Sequence, residues 1–169
     1  MQLKIDNKFL IWDKVDSRYF ILTGGRGSGK SFAINTMLLL LTQEAGHTIL
    51  FTRYTLRSAN ISIIPEFKEK IDLLNLNHLF HITKDEIINK GSGSKILFRG
   101  IKTSSGDQTA NLKSMQGITT WVMDEAEELM DESIFDKIDL SVRQKGIDNR
   151  IILILNPTTK EHWIYERFF

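Results

Sequence analysis

Residues 19–31 read Tyr19-Phe20-Ile21-Leu22-Thr23-Gly24-Gly25-Arg26-Gly27-Ser28-Gly29-Lys30-Ser31, an apolar run that breaks into glycines and then into Gly-Lys-Ser. The first five residues have the pattern of a strand buried on both faces. The last eight match G-x-x-x-x-G-K-S at Gly24, Gly29, Lys30 and Ser31, and a helix is expected from about residue 30 to residue 44, with Gly46 as its stop. A glycine-rich turn there lets backbone N–H groups face an anion, and the helix N-terminus adds its positive dipole end. The spacing therefore predicts a nucleotide cradle made of Gly24, Gly25, Arg26, Gly27, Ser28 and Gly29, with Lys30 on the β- and γ-phosphates of ATP and Ser31 on Mg2+. Small residues would suffice at position 26. A guanidinium there binds γ-phosphate oxygens, toggles toward an acidic neighbour, or is simply solvated, and the sequence leaves the three readings open.

Outward from the loop, strand and helix patterns alternate. Residues 48–52 read as a second buried strand, and residues 61–74 as helical after Pro65. Shorter runs at 81–83, 87–88 and 95–98 follow, with Gly91-Ser92-Gly93-Ser94 favouring a hairpin turn between the last two. Residues 102–113 are polar and read as a loop. Thr120-Trp121-Val122-Met123 is another buried strand ending in Asp124-Glu125, and Asp131 can cap a helix with Phe135, Ile138 and Val142 on one face. Residues 151–155 form a final strand ending at Asn156-Pro157, followed by an amphipathic stretch, 161–169. The order predicts an α/β fold of the P-loop NTPase type: a mainly parallel sheet with helices on both faces and a small antiparallel hairpin insertion.

The 169 residues suit one domain, and 41% hydrophobic residues suffice for a core. With 22 Lys plus Arg against 21 Asp plus Glu, no whole-chain field draws the protein to nucleic acid or membrane, so any such contact is local. The absence of cysteine excludes disulfides and thiolate metal sites. Charges at the N-terminus and the shortness of the longest apolar run, residues 37–41, lead to the expectation of a soluble, cytoplasmic protein.

Phosphoryl transfer needs a carboxylate on the metal and a group that orients water. Asp124 and Glu125 end a strand at the sheet edge where α/β proteins place ligands, so Asp124 is expected on Mg2+ and Glu125 on the attacking water. Glu127 and Glu128 beside them fit the plainer pattern of a solvated helix start. Asn156 ends another strand on that edge, either sensing the γ-phosphate or forming a turn with Pro157. Phe9, Trp12 and Tyr19 can stack on a base or serve as core.

Together these residues resemble the ATPase domain of the large terminase subunit of tailed bacteriophages, the motor that packages DNA into proheads. The resemblance rests on Arg18-Tyr19, the arginine-bearing loop, Arg53-Tyr54-Thr55-Leu56-Arg57-Ser58, Leu112-Lys113-Ser114-Met115-Gln116-Gly117-Ile118, Asp124-Glu125-Ala126, Asn156-Pro157 and His162-Trp163, in family order over almost the whole chain. It implies Glu125 as catalytic carboxylate, Arg26 as the loop arginine, coupling of hydrolysis to movement through the Asn156 segment, and partners comprising double-stranded DNA, the portal protein, the small terminase subunit and further copies in a ring. Lys113 stands where some terminases supply a finger to the neighbouring subunit, and Arg53 and Arg57 in a segment that faces DNA or nucleotide in related motors, or is plain surface. By the same resemblance residues 1–169 are expected to be the ATPase core, without the lid subdomain and C-terminal nuclease domain of the family. A helicase or RecA-like ATPase, and a nucleotide-binding assembly module without turnover, are the competing readings.

Overall fold

The computed structural model describes residue 7 and residues 15–103, 106–107, 112, 115–157 and 160–169. The opening run is strand β1 (Tyr19–Thr23), and helix α1 (Lys30–Leu41) begins directly after Gly29, whose φ of 83° no β-carbon would readily tolerate. Strand β2 (Thr48–Thr55) runs three residues past the apolar stretch because both of its edges are paired, to β7 as far as Thr52 and to β5 as far as Thr55. That extension carries Arg53 beyond the buried core. A helical turn (Leu56–Ser58) and a π-helical stretch (Ala59–Ile63) then lead into α2 (Ile64–Leu73), where Pro65 sits in the first turn and its missing N–H is harmless.

Strands β3 (Phe80–Ile82), β4 (Glu86–Asn89), β5 (Lys95–Thr103), β6 (Gly106–Asp107), β7 (Thr120–Asp124) and β8 (Arg150–Leu155), with helices α3 (Glu132–Asp139) and α4 (Trp163–Phe168), complete the described elements. Sheet order is β1-β8-β7-β2-β5-β4-β3, with β6 on β5. The first five strands are parallel, while β4, β3 and β6 are antiparallel to their neighbours. The hairpin expected around residues 91–94 forms, but it is fused into the main sheet because β5 also pairs in parallel with β2. The polar stretch after residue 101 is partly strand: Lys102 and Thr103 belong to β5, and Gly106–Asp107 turns back on them.

Alternating residues supply two cores. Ile49, Phe51, Val122, Ile152 and Ile154 face α1 and α2, whereas Leu50, Trp121, Met123, Ile151 and Leu153 face α3 and α4. On the first face Phe51, Phe67 and Phe98 pack ring against ring at 5.5–6.0 Å, each burial stabilising by roughly 2–3 kcal/mol. On the second face α3 ends at Asp139, so Val142, expected on that helix, is buried just beyond it. Helix α1 stops at Leu41, short of residue 44: the N–H groups of Gln43 and Glu44 bond three residues back, to Leu40 and Leu41, and the hydroxyls of Ser92 and Ser94 satisfy the carbonyls of Thr42 and Glu44 (2.6 and 2.5 Å). Gly100 is required by contact: a β-carbon there would stand 2.4 Å from the backbone nitrogen of Leu56. No helix among the described residues is long and apolar enough to cross a membrane.

Candidate active site

The parallel register places three chain exits side by side. Thr23 lies opposite Leu155 and Ile154 opposite Asp124, so the loop after β1, Glu125 after β7 and Asn156 after β8 leave the sheet on one edge. They enclose a cavity of about 510 Å³ lined by Arg26, Gly27, Ser28, Gly29, Lys30 and Ser31 on one side and Asp124, Glu125 and Asn156 on another. Gly24 and Gly25 do not line it; their backbone supports Lys30 from behind.

The glycine loop is closed on itself. Lys30, only 7% exposed, donates its Nζ protons to the carbonyl of Gly24, the carbonyl of Gly25 (3.1 Å) and Ser28 Oγ (3.2 Å). Its ammonium is thereby held by groups that lie within six residues, at the mouth of a helix N-terminus suited to anions. Arg26 is exposed and has no hydrogen-bond or ion-pair partner among the described residues, so its guanidinium is available to a ligand in the cavity.

The acidic end is neutralised from far away in sequence. Arg53 donates through Nε and Nη2 to the same oxygen of Asp124, Oδ2, at 2.9 and 2.7 Å. Its Nη2 also lies 3.2 Å from Glu125 Oε1, and Nη1 donates to Ser62 Oγ at 3.0 Å. One guanidinium thus spans both carboxylates and the π-helical stretch. Glu125 adopts a left-handed backbone (φ 56°, ψ 47°), a conformation that costs a non-glycine residue about 1–2 kcal/mol. The bend turns the chain sharply out of β7 into a short 3₁₀ turn, Ala126–Glu128, and leaves the Glu125 side chain one-third exposed at the cavity. Burial pushes the Glu125 carboxyl above its ordinary range; Arg53 opposes this, and Asp124, Glu128 and Glu127 reinforce it.

Helix α2 supplies a wall that sequence reasoning missed. Glu66, Glu69 and Lys70 line the cavity beside Phe32 of α1. Asn35 Nδ2 donates to Glu66 Oε2 at 3.0 Å, tying the two helices together. The Lys70 ammonium sits 4.6 Å from the centre of the Phe32 ring, and burial lowers its pKa. Spacing of three and four residues put Glu66, Glu69 and Lys70 on one helix face, but that pattern is indistinguishable from a solvated face.

The remaining candidates divide. Asn156 lines the cavity, with Nδ2 donating to Glu127 Oε1 at 2.8 Å. Tyr19 does not line it: the ring packs on Phe135 and Phe168, and its hydroxyl donates to Asp139 at 2.8 Å. Arg57 is exposed and outside the cavity. Phe9, Trp12 and Lys113 lie outside the described residues.

A glycine-rich loop opening a helix, an acidic residue pair at the end of a parallel strand of the same sheet, and an asparagine just beyond the strand between them define a P-loop NTPase fold. Residues 16–169 match the family described as phage terminase large subunit, and the chain belongs to that family. It is 28% identical over 161 residues to the terminase large subunit of Bacillus phage SPP1, an alignment covering 88% of this chain and 37% of that protein. The solved large terminase of the thermophilic bacteriophage D6E superposes with a TM-score of 0.76 at 16% identity, over 95% of this chain and 40% of that one. The same terminase in complex with ATP-gamma-S gives 0.70 at 15% identity, with 95% and 39% covered. The chain therefore spans about two fifths of the length of these relatives.

Proposed function

We propose that the chain is the ATP-binding and hydrolysing core of a DNA-packaging motor, using Mg2+ and ATP to drive double-stranded DNA. The observation that carries this reading is the convergence of Lys30, Ser31, Asp124, Glu125 and Asn156 on one cavity at the carboxyl edge of three parallel strands. A large terminase of this fold, that of D6E, has been solved with ATP-gamma-S, which supports a nucleotide as the occupant.

In this reading the phosphates enter the glycine loop and exchange places with the carbonyls of Gly24 and Gly25 as partners of Lys30. Arg26 reaches the terminal phosphate from the exposed side. Ser31 and Asp124 are hard oxygen donors of the kind Mg2+ selects. When bound, Mg2+ neutralises charge on the phosphate oxygens. Arg53 engages Asp124 through Oδ2 alone, so Asp124 would hold the metal through its other oxygen with that pair in place. Glu125, at the cavity after β7, is placed to accept a proton from the attacking water as a carboxylate and to orient it in line. Portal protein, small terminase subunit and a ring of copies are the partners this family membership supports, in the cytoplasm of a bacterial host.

Steady-state ATP hydrolysis with and without double-stranded DNA, on the wild type and Glu125→Ala, tests the reading. The expected result is turnover in the wild type, reduced by roughly 10²–10⁴-fold in the variant, with ATP binding retained in both. Binding without turnover in either protein would favour the assembly-module reading for this chain.

A further inference from the structure

Glu127 is assigned no ligand in the reading above, yet it holds two elements at once. Its Oε1 accepts from Asn156 Nδ2 at 2.8 Å, and its backbone carbonyl accepts from His162 Nε2 at 3.2 Å. His162 is buried, and its Nδ1 accepts from the backbone N–H of Ile164 at 3.2 Å, capping α4. Those two contacts assign the ring tautomer, with the proton on Nε2. Two residues further on, the Leu129 carbonyl accepts the indole N–H of Trp163 at 2.5 Å. The 3₁₀ turn that follows Glu125 is therefore fastened to the cavity through Asn156 and to the first turn of α4 through His162 and Trp163.

The carboxylate is poised rather than saturated. Glu127 Oε2 is buried without a hydrogen-bond partner among the described residues, so Asn156 is the side-chain donor that keeps the group in place. The nitrogen that serves Glu127 carries a second hydrogen, and Asn156 faces the cavity. A phosphate oxygen that accepts from this nitrogen pulls directly on the Glu127 contact. Weakening that contact leaves a buried carboxylate with neither oxygen paired, and the turn must shift to rehydrate it. The shift moves the two carbonyls on which α4 is hung.

We propose that Glu127 is a positioning residue that transmits nucleotide occupancy from Asn156 to the first turn of α4, through the His162 and Trp163 contacts of its own turn. The proposal rests on nucleotide binding in the cavity, and its test separates the two. The chain is labelled with 5-fluorotryptophan, and the three resonances of Trp12, Trp121 and Trp163 are assigned with single Trp→Phe variants. Fluorine spectra are recorded during titration with ATP-gamma-S and Mg2+, with bound nucleotide measured in parallel by equilibrium dialysis. The wild-type Trp163 resonance is expected to shift with occupancy. Glu127→Ala is expected to bind nucleotide with the shift lost, whereas Glu127→Gln, whose amide oxygen still accepts from Asn156, keeps it. Asn156→Ala cuts the same link from the other side and carries the test if Glu127→Ala fails to fold. A Trp163 shift of wild-type size in Glu127→Ala or Asn156→Ala at equal occupancy overturns the proposal, as does no shift in the saturated wild type. A wild type that binds no nucleotide removes the underlying reading, and the proposal with it.

Discussion

The glycine loop and the acidic strand end face each other across one cavity, and each is neutralised by a contact of the opposite kind. Lys30 is satisfied by carbonyls and a hydroxyl two to six residues away, in a loop largely open to water. Asp124, with a side chain only 4% exposed, is satisfied by a guanidinium 71 residues distant. The loop can therefore lose its cation and let water replace it, while the strand end cannot. The glycine loop is the wall that can rearrange, and the acidic strand end is the wall that the fold depends on.

The strongest way to break this contrast is Arg53→Ala. It strands a buried carboxylate, so urea unfolding of the nucleotide-free protein should show a loss of about 3–5 kcal/mol. Combining Arg53→Met with Asp124→Asn should restore most of it, and a loss unchanged in the double variant would sink the ion-pair explanation. Lys30→Met is next. Nucleotide affinity should fall roughly 10–100-fold, from about 1.5–3 kcal/mol of lost charge-assisted bonding, while the unfolding midpoint moves far less than in Arg53→Ala. Ser62→Ala removes the third contact of the Arg53 guanidinium and should cost about 1 kcal/mol in the same unfolding assay.

The smallest effect is one of pH. A carboxyl raised in the fold, as Glu125 is, contributes stability that is complete below the ordinary carboxylate range and is lost as pH rises through its folded value. Unfolding free energies of the wild type and Glu125→Gln should therefore diverge in slope across that interval, the wild type falling relative to the variant. Parallel curves would mean that Arg53 cancels the burial.

The same contrast explains what was legible in the sequence. Gly24 to Ser31 obeys constraints that are all local, and so do the buried strands that feed Asp124 and Asn156 into the site. Arg53 is legible through the family resemblance as facing nucleotide or DNA, or as plain surface, but its hold on Asp124 and Glu125 is not, because the length of β2 is set by its pairing with β5 and β7 rather than by its own apolar residues. Glu66, Glu69 and Lys70 looked like a solvated helix face, and Glu127 like one more charge in an acidic run. A charged side chain beside a cavity has the same sequence signature as one beside bulk water; tertiary placement alone separates them.

The serine hydroxyls that close the end of α1 come from a turn fifty residues downstream. Ser94 Oγ also accepts from the N–H of His47, and the N–H of Lys95 donates to the His47 carbonyl, so the exit of α1, the entry of β2 and the β4–β5 turn are laced together. In folding terms the phosphate-loop helix is not an autonomous unit. Its last amides, those of Thr42, Gln43 and Glu44, should exchange with deuterium in step with the hairpin turn, and a peptide cut from residues 19–46 would fray from the end remote from Lys30.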